Sequence, residues 1–114
     1  MSFLSTLFGT TVQQNDTITI LNTTEYKKAL VGKNVQLVDV RTANEYRSGH
    51  ISKAINIDFF RQSTFKQSFE KFDKSKPLYI YCRSGNRSGK AARIISKMGF
   101  VNIIDLKRGY MAWE

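Results

Sequence analysis

Apolar and polar positions along the chain sort it into short strands alternating with short helices. Residues Thr17 to Leu21 set β-branched and apolar side chains in succession and predict a strand. Thr23 or Thr24 then caps a predicted helix reaching about Val31, with Gly32 as its stop. Val35 to Val40 is a compact apolar run, the pattern of a buried strand. Thr42 followed three residues later by Glu45 forms a capping box, so a short helix is predicted to about Ser48. Ala54 to Ile57 predicts another short strand. Phe65, Phe69 and Phe72 fall at helical spacing, so an amphipathic helix is expected from Ser63 to about Lys71, its aromatic stripe facing the core. Pro77 opens a strand over Leu78 to Tyr81 that runs out at Cys82. Ser84 to Ser88 then reads as a polar loop. Gly89 to Met98 predicts a helix with Ala91, Ala92, Ile95 and Met98 inward and Gly99 and Phe100 closing it. Val101 to Leu106 predicts the last strand, and Gly109 to Glu114 follows with Tyr110 and Trp113. Strands alternating with helices across short connections imply an α/β fold: a central, mostly parallel, five-stranded sheet with helices on both faces.

Length and composition narrow the options. The 114 residues fit one domain, read as residues 17–114 after an N-terminal extension of residues 1–16. In that extension Phe3, Leu4, Leu7 and Phe8 form an apolar stripe, expected to be a turn packing on the domain. One cysteine excludes an intrachain disulfide and a cysteine-rich zinc site, and one histidine makes a histidine metal site a poor fit, so no metal and no cofactor are expected. The longest apolar stretches run about six residues, far short of a membrane span of ~20, so no membrane partner is expected. With no export signal, a reducing cytoplasm is the expected compartment. The net charge of +9 comes from scattered basic residues, a pattern of solvated surface. It favours small anions and acidic partners, but no nucleic-acid motif accompanies it and no nucleic acid is expected.

The candidate chemistry lies where the fourth strand ends. In open α/β sheets, sites form beyond the carboxyl ends of the strands. The sole cysteine, Cys82, stands there, followed by Arg83, Ser84, Gly85, Asn86, Arg87 and Ser88. Backbone N–H groups of such a loop can converge into an anion nest, and the following helix N-terminus and two arginines add positive potential. Both stabilise a thiolate, the reactive form of cysteine. Set against a small buried hydrophobe at a strand end, this polar surrounding favours a reactive Cys82. Gly85, Gly89 and Lys90 echo a phosphate-binding loop, but the spacing is one residue short and Ala91 stands where Ser or Thr is needed.

Three segments in order resemble the rhodanese family of single-domain sulfurtransferases. They are Asp39-Val40-Arg41 with Glu45-Tyr46, Gly49-His50-Ile51, Ala54 and Asn56-Ile57; the loop from Cys82 to Ser88; and Gly109-Tyr110 with Ala112 and Trp113. The resemblance spans roughly residues 17–114. It implies that Cys82 takes sulfane sulfur from thiosulfate or a persulfide donor, carries it as a persulfide, and yields it to cyanide, a thiol or a protein cysteine. With no second cysteine, that acceptor acts in trans.

The residues fill roles within this scheme. Loop N–H groups would stabilise the thiolate and then the persulfide, with Gly85 supplying a conformation a side chain forbids. Arg83 is suited to an anionic donor. Arg87 either binds the donor or pairs with a carboxylate such as Asp39. Ser84, Asn86 and Ser88 line or cap the loop. Asp39 and Arg41 are expected to orient the strand ends, and His50 to fix its turn by hydrogen bonding instead of acting as a base. Two alternatives remain: a cysteine phosphatase or arsenate reductase of the same fold, and a non-catalytic sulfur carrier or binding module. The related phosphatases place one more residue between cysteine and arginine than the four here.

Overall fold

The most apolar run of the chain, Leu78–Tyr81, sits at the centre of the sheet with every residue buried. It is the fourth of five strands in a computed structural model that describes residues 17–113. The strands are β1 (Ile18–Leu21), β2 (Gln36–Asp39), β3 (Ile55–Asn56), β4 (Leu78–Tyr81) and β5 (Ile103–Leu106). Their order is β1-β5-β4-β2-β3 and every pairing is parallel. Burial follows position. The inner strands β4 and β5 are fully buried, whereas β1 at one edge exposes its two middle residues, Thr19 and Ile20.

Helices cover both faces. On one, Val38, Ile80 and Ile103 pack under Phe65 of α3 (Gln62–Ser68), Phe69 of the 3₁₀ turn that follows it (Phe69–Lys71), and Ala91, Ala92 and Ile95 of α4 (Asn86–Ser96). On the other, Leu37, Tyr79, Tyr81 and Ile104 pack under Tyr26 of α1 (Thr23–Leu30), Tyr46 of α2 (Ala43–Arg47) and Trp113 of α5 (Gly109–Trp113). Burying thirteen residues in the first cluster and eight in the second gives the sheet two cores, one per face.

Several local expectations are corrected. The cap of α1 is Asn22, whose side chain accepts from Glu25 N–H in a full capping box; Thr23 and Thr24 already lie inside the helix. The Phe65 helix stops at Ser68 and tightens into the 3₁₀ turn, leaving Phe72 half-buried beyond it. Val101 is exposed and outside β5; its N–H donates to the Lys74 carbonyl. The Thr42–Glu45 capping box of α2 is present as read. The N-terminal stripe of Phe3, Leu4, Leu7 and Phe8 lies outside the described residues.

One correction bears on the site. Asn86, Arg87 and Ser88 are not loop but the first turn of α4, with Gly85 as N-cap. The strand-to-helix connection is therefore Cys82–Gly85. The first N–H groups of α4, which have no intrahelical acceptors, lie directly beside it. Among the described residues, no helix is long and apolar enough to cross a membrane.

Candidate active site

The parallel ladder continues past the strand ends and brings the site together. Val40 N–H donates to the Tyr81 carbonyl at 2.9 Å, and Phe59 N–H to the Val40 carbonyl at 3.0 Å. Cys82 follows β4 there, 1% exposed, its apolar flank in the core beneath α4. The chain then turns sharply. Gly85 adopts φ +104°, a left-handed conformation that L side chains rarely hold, and its N–H donates to Cys82 Sγ at 3.0 Å. Negative charge developing on that sulfur meets one aimed N–H and the positive end of α4.

The other side of the turn is clamped by α5. Tyr110 N–H donates to the Cys82 carbonyl at 2.8 Å and Met111 N–H to the Arg83 carbonyl at 3.0 Å. That approach leaves no space at Gly109: a Cβ there would lie 2.4 Å from the Cys82 carbonyl oxygen, and its φ is +61°. The backbone of Arg83 is thus fixed while its side chain stays exposed, with no salt bridge to any described residue. Ser84 and Asn86 are also exposed.

Two arginine–carboxylate pairs flank the loop. Arg41 and Asp39 are both buried; Nε contacts both carboxylate oxygens at 3.0 Å and Nη2 reaches Oδ2 at 2.6 Å. Arg41 Nη2 also donates to the Gly49 carbonyl, and its guanidinium lies over the rings of Tyr110 and Tyr81. Burial works against the Arg41 charge, but the hydrogen-bonded carboxylate more than offsets it and its pKa is raised. Arg87 pairs with a carboxylate, but that carboxylate is Glu45 and not Asp39. It forks onto Glu45, Nη1–Oε1 at 2.7 Å and Nη2–Oε2 at 3.0 Å, while Asp39 is occupied by Arg41. The Phe60 ring lies 5.5 Å from the Arg87 guanidinium. Hydrogen bonding from Arg87, opposed by burial and aided by the Thr42 cap, pulls Glu45 down to about 2.

His50 is exposed and stacks on Tyr46 at a ring separation of 3.7 Å. Its Nδ1 lies 2.8 Å from the Tyr46 carbonyl, which only accepts, so Nδ1 carries the proton. That ring holds its own turn and makes no hydrogen bond to Cys82. Ser88 is buried on α4, near Asp105 of β5. Among the described residues Ser88 Oγ and Asp105 Oδ1 each lack a hydrogen-bond partner, and burial pushes Asp105 up to about 6, an effect that the Leu106 amide offsets in part.

The family model for the rhodanese-like domain matches residues 22–114, which contain all of this geometry. The chain belongs to the rhodanese-like domain family. A solved rhodanese-like domain protein from Staphylococcus aureus superposes with a TM-score of 0.73 at 33% identity, over 84% of this chain and 91% of that one. Thiosulfate sulfurtransferase GlpE of Shewanella oneidensis is 33% identical over 82 residues, 72% of this chain and 78% of that protein. A tRNA uridine(34) hydroxylase of Buchnera aphidicola is 34% identical over 102 residues, covering 87% of this chain but only 33% of the hydroxylase. Membership in the family therefore does not by itself fix the reaction.

Within this rhodanese-like domain, sequence reasoning passed over Glu45, Gly109 and Asp105 as site residues. Glu45 was visible as a helix cap and within the first segment of the family resemblance, but its pairing role needs a partner 42 residues away. Gly109 carried a signal, since a glycine before Tyr110 is what close backbone approach requires. Asp105 sits within an otherwise apolar strand, and the carboxylate in that run was its only mark. Among the described residues no cluster of His, Cys, Asp or Glu is placed to hold a metal ion.

Proposed function

We propose that this domain is a sulfurtransferase in which Cys82 carries sulfane sulfur. The observation that supports it best is the Gly85 N–H aimed at Cys82 Sγ, at the head of α4 and beside Arg83, which has no salt-bridge partner among the described residues. In the first half-reaction the Cys82 thiolate attacks the outer sulfur of thiosulfate. The S–S bond of thiosulfate breaks and sulfite leaves with the electron pair. In the second, cyanide or a thiolate attacks the outer sulfur of the Cys82 persulfide, and the Cys82 thiolate departs. Thiocyanate or an acceptor persulfide results, and no external oxidant or reductant is consumed.

The loop residues divide this work. The Gly85 N–H and the first turn of α4 stabilise the anionic sulfur in both states. Arg83 offers its planar fork of donors to the departing sulfite group. Arg87 holds α4 to α2 through Glu45 and lends its charge through space. Cys82 is the only cysteine, so the acceptor comes from another molecule.

The phosphatase alternative has less support. Four residues separate Cys82 from Arg87, and the Arg87 fork is filled by Glu45, leaving no arginine at the end of the loop to grip a phosphoryl oxygen. The test is turnover of thiosulfate with cyanide against hydrolysis of p-nitrophenyl phosphate by the same preparation. Thiocyanate formation with no phosphatase activity is expected. Phosphate ester hydrolysis without sulfur transfer would overturn the reading.

A further inference from the structure

A sizeable cavity lies away from Cys82. It has a volume of about 720 Å³, within the range of small-molecule sites, and lies between the end of α1, the following segment and the residues after His50. Leu37 and Ile51 form part of its floor and Trp113 stands in its wall, so it opens onto the second core. Leu37 belongs to the start of β2, whereas Cys82 follows the end of β4, and the strands are parallel. Cavity and cysteine therefore occupy opposite ends of the sheet, with α5 running between them from the Cys82 clamp to Trp113.

The charge on this cavity is of one sign. Among the described residues, Lys27, Lys33 and Lys53 line it and no aspartate or glutamate does. None of the three makes a salt bridge among the described residues. Lys27 Nζ is placed over the Trp113 ring, 4.9 Å from its centroid. Lys53 holds φ +74°, a conformation that costs free energy for a residue with a side chain. An apolar floor with ammonium groups around it that no described carboxylate pairs with matches a ligand that is apolar at one end and anionic at the other.

We infer that this cavity is a binding site for an amphipathic organic anion, an alkyl or aryl body bearing a carboxylate. The apolar body would displace water from Leu37, Ile51 and Trp113, and the carboxylate would meet the lysines. The inference does not rest on the sulfur-transfer reading.

Trp113 is the only tryptophan of the chain, so its emission reports the cavity directly. Sodium decanoate, titrated below its micelle concentration into the full-length protein, should change Trp113 emission saturably. Decyltrimethylammonium of the same chain length should bind about tenfold more weakly, and so should decanoate to a Lys33→Gln, Lys53→Gln double variant that has lost two charge contacts, a difference of about 1.4 kcal/mol. No saturable change would overturn the inference, as would equal affinity for the cationic probe or undiminished binding by the double variant. Two further results would give the cavity to another occupant and equally overturn it. One is a ligand-free Trp113 signal that depends on protein concentration, the mark of a second copy. The other is a ligand-free shift caused by Phe3→Asp with Phe8→Asp, the mark of the chain's own N-terminal segment.

Discussion

The two arginine–carboxylate pairs beside Cys82 look alike on paper and differ in what they do. Asp39 and Arg41 lie two residues apart at the end of one strand, with side chains 0% and 5% exposed. Glu45 and Arg87 are 42 residues apart, join α2 to α4, and keep 28% and 17% of their side chains in contact with solvent. The first is a pillar: its charges are out of water, so each is tolerable only because the other is present. The second is a tether: it costs less to lose, because solvent can take over for either partner. Local pairing built the wall of the site, and long-range pairing set the position of the helix that faces the sulfur.

The largest effect is expected at the pillar. Arg41→Met leaves the Asp39 carboxylate buried without its cation, also removes the donor to the Gly49 carbonyl, and should cost about 3–5 kcal/mol of stability. Denaturant unfolding of the variant and the wild type reads this directly. A loss under about 1 kcal/mol would put the two pairs in the same class and remove the distinction between them.

A smaller effect is expected at the tether. Glu45→Gln should lower stability at pH 7 by only about 1 kcal/mol, since the pair is partly solvated. Its dependence on pH has a definite sign. Glu45 has a lower pKa in the folded protein, about 2 against a usual 4.5, so the pair stabilises fully above about 4.5 and loses that contribution as pH falls toward 2. The gap between wild type and variant should close over that window and stay constant above it. Kinetically, freeing Arg87 from its carboxylate leaves an uncompensated cation near the loop, so the KM for thiosulfate should fall while Tm drops slightly. A raised KM would mean that the Glu45 tether itself positions the donor site.

The same contrast explains what was readable in the sequence. Signals contained within a few residues came through: the Thr42–Glu45 cap, the end of β4 at Tyr81 between Pro77 and a polar stretch, and the turn of His50. The Asp39-Val40-Arg41 run marked a strand end for the same reason. The start of α4 was misplaced because Asn86, Arg87 and Ser88 have the composition of a loop. Gly85 caps the helix with its backbone in a left-handed conformation and no side-chain bond, which leaves no cap residue to read. The partner of Arg87 was hidden because 18 basic and 9 acidic residues offer many pairings, and only the adjacency of β2 and β4 in the sheet brings the starts of α2 and α4 within reach of each other. The cavity near Trp113 was unreadable for a related reason, since its lysines belong to segments that meet only after folding.

Both pairs serve one sulfur atom, and whether that atom carries a second sulfur is a question of mass. The protein should be treated with thiosulfate, freed of small molecules under non-reducing conditions, and weighed intact by mass spectrometry. The wild type is expected to gain one sulfur atom that dithiothreitol removes, and a folded Cys82→Ser variant to gain none. A wild type that gains no sulfur from thiosulfate or from a persulfide donor, or a Cys82→Ser variant that gains it equally, would contradict the assignment of Cys82 as the sulfur carrier.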